Sequence, residues 1–164
     1  MPHKLISLTI YGSLLSYLIA LVCWVSRQRG TAYRAAWSLG CVLLLLHAIA
    51  AFHFYHHWSH AHAVELTAEE TLRITGTAFG NGIWFSYALI LFWGIDVGLC
   101  WMPKLRDSKS RYWFSVLIHL YAFFILFNGT VIFEEGPVRW AGIVGTIWVV
   151  RMAWRFRKRR PVVA

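Results

Sequence analysis

Eight histidines occur in a chain of 164 residues, and five of them fall within one decapeptide, His53-Phe-Tyr-His56-His57-Trp-Ser-His60-Ala-His62. Wound as an α-helix, this stretch places His53, His56, His57 and His60 within an arc of about 100° on one face, with His62 pointing away. Imidazoles at i and i+4 can share one transition metal. Glu65, Glu69, Glu70, Glu134 and Glu135 could complete a mixed nitrogen and oxygen shell, which suits Zn²⁺, Fe²⁺ or Cu²⁺ better than a thiolate-seeking metal. The alternative for the same residues is a cluster at a helix end that packs or titrates with external pH.

Within the most apolar stretches two ionisable side chains stand out, Asp96 and His119. Such groups are costly in a bilayer and face the interior of a helix bundle. The short connection between their segments makes these helices antiparallel neighbours, so an intramembrane polar pair Asp96–His119 is expected. It would be a proton-relay element, a support that orients a nearby ligand, or a clasp that fixes one helix arrangement. Gly94 and Gly98 flank Asp96 at the spacing that permits close helix approach. His47 and His119 could instead be the axial ligands of a b-type haem held between two helices. Cys23, Cys41 and Cys100 share one depth, where thiols serve as small apolar packing residues or bind a soft metal.

The elements that must position these groups follow from composition. The chain is 59% hydrophobic and 14% charged, yet carries a net charge of +9. Soluble domains hold about a quarter charged residues. A bilayer core about 30 Å thick needs roughly 20 apolar helical residues. Five segments approach that length: 5–25, 35–57, 79–101, 113–133 and 138–154. The expected fold is therefore all-α, a single transmembrane helical bundle over residues 1–164 with five spans. The first segment reads as a retained helix, because its positive end follows the apolar run.

Charge sets the orientation. Lys and Arg accumulate on the cytoplasmic side of short loops. Arg27, Arg29 and Arg34, then Lys104, Arg106, Lys109 and Arg111, then Arg151, Arg155, Arg157, Lys158, Arg159 and Arg160 make 13 of the 16 basic residues. With five spans all lie on one side, opposite the five glutamates named above. The N-terminus is then outside and the C-terminus inside. Trp24, Trp37, Trp101, Trp113 and Trp154 fall near the inner boundary and Trp58, Trp84 and Trp140 near the outer one, as amphipathic rings prefer. In the one long loop, Thr67-Ala-Glu-Glu70 has the form of a capping box and Gly76 that of a helix stop, which predicts a short surface helix over 68–75.

Two resemblances add to this. His53-x-x-His56-His57 resembles one histidine box of the membrane fatty-acid desaturases and hydroxylases. Those enzymes bind two irons through several such boxes on different helices, and outside this segment the chain offers only His3, His47 and His119. The texture of the chain, and Phe127–Trp140 in particular, resembles small multi-pass bacterial membrane proteins of the planctomycete type. This implies a bacterial inner (cytoplasmic) membrane and no particular activity.

The expectation is a non-catalytic integral membrane protein, an accessory or metal-binding subunit with an outer-face His/Glu cluster. The other classes are a small electron-transfer protein carrying haem b and a proton-coupled transport component using Asp96, His119 and His47. The basic face suits anionic lipids, and other membrane subunits are further partners. No nucleic-acid-binding motif accompanies the positive charge.

Overall fold

The computed structural model describes residues 2–106 and 108–158, and all regular structure among them is helical. In chain order the helices are α1 (Pro2–Val25), α2 (Thr31–Phe54), α3 (His60–Thr75), α4 (Ile83–Trp101), α5 (Pro103–Arg106), α6 (Lys109–Phe127) and α7 (Pro137–Lys158). A 3-10 turn (Gly80–Gly82) leads into α4, and a π turn (Asn128–Ile132) extends α6. Arg159 and Arg160 of the basic tail lie outside the described residues.

Among the described residues, four stretches are long and apolar enough to cross a membrane: Lys4–Val25, Thr31–Phe54, Gly80–Trp101 and Lys109–Ile132. Residues 138–154, the fifth expected span, do form a helix within α7. Arg139 and Arg151 leave only residues 140–150 free of charge between them, and α7 is not among the four. The apolar helices present their large side chains outward. Leu8, Leu15, Leu91, Leu117 and Leu120 are each 60–70% exposed. That is the inverse of a water-soluble bundle and fits a surface solvated by acyl chains.

The turn between α1 and α2 is a Schellman motif. Gln28 N–H donates to the Cys23 carbonyl at 2.8 Å and Arg27 N–H to that of Trp24 at 3.1 Å. Arg27 takes the left-handed conformation at φ 61°, where glycine is usual. The chain thus reverses within a few residues, and α1 packs along α2. There Ser13 Oγ donates to the Gly40 carbonyl at 2.8 Å. A Cβ on Gly40 would lie 3.0 Å from the Trp93 ring, so the missing side chain is what admits α4. Between apolar helices in lipid, close packing and interhelical hydrogen bonds replace the hydrophobic drive. The core accordingly combines Tyr17, Tyr33, Trp37 and Trp93 with buried Ser13, Ser16 and Ser115.

Several boundaries move relative to the sequence reading. Helix α6 starts at Lys109, not 113, because the Ser108 hydroxyl caps it by accepting from Arg111 N–H at 3.2 Å. The short helix expected over 68–75 is the second half of α3, which Ser59 caps by accepting from His62 N–H. Thr67 lies inside α3, its hydroxyl donating to the Ala63 carbonyl. Gly76 does end the helix, at φ 76°. Gly94 and Gly98 face open space and bring no helix close.

Candidate functional site

Four helices converge on one buried polar node at the arginine end of the bundle, the end holding the α1–α2 turn and the α4–α6 connection. Asp96 of α4 is 0% exposed. A buried carboxyl group needs donors, and two hydrogen-bond to it with a cation just beyond. Trp37 Nε1 of α2 donates to Oδ2 at 2.9 Å, and Ser115 Oγ of α6 donates to Oδ1 at 2.6 Å. Arg111, in the first turn of α6 and itself buried, pairs with Oδ1 at 3.6 Å. Arg111 and Ser115 are one helical turn apart, so both side chains face α4.

One further turn along α6, His119 sits in an aromatic cage. Its ring centroid is 4.2 Å from Trp37, 4.6 Å from Trp24 and 6.0 Å from Tyr17. Its Nε2 faces the Tyr33 hydroxyl at 3.3 Å, and the Tyr17 hydroxyl donates to its backbone carbonyl at 3.0 Å. Trp93 Nε1 donates to the Trp37 carbonyl at 3.2 Å. Residues of α1, α2, α4 and α6 therefore share one network.

Asp96 and His119 were expected to pair with each other. Both occur in the node, but the structure places Trp37 between them: its indole N–H meets the carboxyl group and its ring lies against the imidazole. Trp37 is fully buried, which corrects its assignment to an interfacial belt. Tyr17, Tyr33, Trp37, Arg111 and Ser115 were not anticipated as site residues. The requirement that an intramembrane carboxyl group find donors pointed toward Arg111 and Ser115, but a helix start placed too late left Arg111 in a loop.

His47 and His119 are engaged apart from one another. His47 Nδ1 lies 3.2 Å from the Ile6 carbonyl on α1, whereas His119 is enclosed in the cage. His47 lines a large cavity of about 850 Å³ between the helices, together with Tyr17, Phe52, His56, Glu70 and Trp93. His119 is not part of that lining. Of the three cysteines, Cys100 is buried in the core and Cys23 and Cys41 are half-buried against it.

At the opposite, histidine end, the expected single helical face does not form. Helix α2 stops at Phe54, and His57 and Trp58 take φ values of 47° and 60°. Two successive left-handed residues reverse the chain and scatter the rings. His53 packs on Phe54 and Trp58. His60, on α3, brings Nδ1 to 3.1 Å from the Tyr87 hydroxyl and packs edge-on to Trp84. His62, expected to point away, meets His56 at 6.0 Å and stacks on His57 at 6.4 Å. Burial and the neighbouring His62 hold the His56 imidazole below its ordinary pKa. The glutamates are partly taken up elsewhere. Glu70 and Glu135 bind Arg73 at 2.7 and 3.4 Å, and that contact holds the Glu70 carboxyl below the usual carboxylate range. Among the described residues no three His, Cys, Asp or Glu side chains form a group that could hold a metal ion. The metal-binding expectation for His53, His56, His57 and His60 thus rested on a helix that ends before most of them.

Comparison with family models, curated proteins and solved structures finds no match to this chain.

Proposed function

We propose that the chain is a non-catalytic integral membrane protein, an accessory subunit of a larger membrane assembly. The supporting observation is the closed state of its deepest ionisable group. Asp96 is wholly buried, and groups from two other helices converge on it, as befits a clasp that fixes α2, α4 and α6 against one another. A relay or transport pathway calls for buried groups that open onto a route. Crosslinking in intact membranes tests this reading. An adduct joining the 19.0 kDa chain to a second polypeptide is expected, and a chain that only ever runs alone refutes it.

In this reading α7 is the fifth span, the N-terminus is outside and the arginine end faces the cytoplasm of a bacterial cell. At 22 residues α7 is about 33 Å long, enough to cross with its arginines reaching toward either interface. Single cysteines in a cysteine-free background test the placement. A thiol reagent that does not cross membranes should label Lys4→Cys in intact cells and spare Arg155→Cys. Equal labelling overturns it.

A further inference from the structure

At the arginine end a hollow of about 350 Å³ opens between the α1–α2 turn and the start of α6. Four cationic side chains line it, Arg29, Arg34, Lys109 and Arg111, and the Ser108 hydroxyl stands among them. Asp96 holds Arg111 from the core side. No carboxylate of the described residues pairs with Arg29, Arg34 or Lys109. Arg34 donates from Nη2 to Thr31 Oγ1 at 3.2 Å, while its buried Nε has no hydrogen-bond partner among the described residues.

Like charges gathered around one cavity repel each other unless an anion sits between them. Here the charges are also aimed. The Arg29 guanidinium lies 3.7 Å from the Trp24 ring centroid and 4.8 Å from that of Tyr112, and Arg34 lies 4.8 Å from that of Trp101. Contact through the flat face restrains a guanidinium and leaves its in-plane N–H fork for a ligand. That fork matches two oxygens of a phosphate. Helix α6, 19 residues long, adds the positive end of its dipole at the same place.

We propose that this hollow is a binding site for a phosphate group, held by Arg29, Arg34 and Lys109 and supported by Arg111. The phosphate comes either as the headgroup of an anionic lipid or as the free ion. The lipid source rests on the membrane placement above, since the hollow then lies at headgroup depth; the free-ion source does not.

The test uses the full chain in a non-ionic detergent, with binding read by native mass spectrometry and by the shift in unfolding temperature. The probes are inorganic phosphate, dihexanoyl phosphatidylglycerol and the zwitterionic dihexanoyl phosphatidylcholine. Phosphatidylglycerol binding in preference to phosphatidylcholine identifies the lipid source. A response to inorganic phosphate without one to phosphatidylglycerol identifies the free ion. In either case Arg29→Gln/Lys109→Gln should bind at least about tenfold more weakly. Arg151→Gln/Arg155→Gln, which removes the same charge from α7, should bind as the parent does. The site is overturned if neither probe binds, if the pocket variant binds like the parent, or if the α7 variant loses as much. Release of the chain from vesicles by alkaline carbonate would overturn the membrane placement separately, without touching the inorganic phosphate result.

Discussion

The indole N–H of Trp37 reaches Oδ2 of Asp96 at 2.9 Å and so ties α2 to α4 through a carboxyl group with no access to solvent. Asp96→Asn keeps the shape and removes the charge facing Arg111. Breaking a buried ion pair from one side costs about 3–5 kcal/mol. The unfolding temperature in detergent should fall by roughly 8 °C or more. Trp37→Phe, which keeps a ring and loses the donor, should cost about 2 kcal/mol. An unchanged melting temperature in Asp96→Asn would contradict the clasp.

Gly40→Ala should destabilise the bundle by about 1–3 kcal/mol, because the new methyl meets the buried Trp93 ring at 3.0 Å. Gly98→Ala, with open space around it, should be neutral or slightly stabilising through helix propensity. Thermal unfolding of the two variants side by side checks the contrast. The opposite order would mean that the helices approach through Gly94 and Gly98 after all.

Acid should loosen the turn between α2 and α3. The pKa of His56 is depressed below its ordinary value of 6.5. The folded turn therefore binds fewer protons than the unfolded one. Its contribution to stability is complete above pH 6.5 and declines as the pH falls through the folded pKa. Glu70, also depressed, adds a second loss in the carboxylate range. His62 faces His56 and stacks on His57, so a proton added to His56 enters a cluster of three imidazoles. The amide protection factors of residues 55–62, with the intrinsic pH dependence of exchange divided out, should fall below about pH 6. Protection factors that stay constant down to pH 5 would refute the prediction.

Arg27→Gly should stabilise the chain by about 0.5–1 kcal/mol, since arginine pays the left-handed penalty that glycine escapes. Chemical unfolding in detergent would register the gain, and a loss would show that the Arg27 side chain contributes more than its backbone costs.

Much of the fold was readable from the run of apolar residues, because a bilayer demands length and little else. The site was only half readable. Asp96 announced itself by its charge, but its partners depend on which residues face α4. The Ser108 cap that sets this phase is followed at its third position by Arg111, not by the glutamate of a capping box. Trp37 carried an interfacial signal in its type and position, while its burial depends on α4 packing over Gly40. At the histidine end the periodicity of α2 was carried past its true stop. Ser59 was a usable capping signal there, overshadowed by the more conspicuous Thr67 and Glu70. The left-handed pair His57–Trp58 has no glycine to mark it.

The tight turn after α1 bears on how the protein is made. A chain synthesised from its N-terminus delivers α1 and α2 as a closed hairpin, with Trp37 in position before Asp96 emerges. Asp96 then enters with one donor waiting, and the second donor, Ser115, and the counter-ion, Arg111, follow only with α6. A chain truncated between residues 101 and 109 therefore lacks both groups of α6 that meet this carboxyl group. Completion of α6 is the step that converts a loose set of inserted helices into a finished bundle.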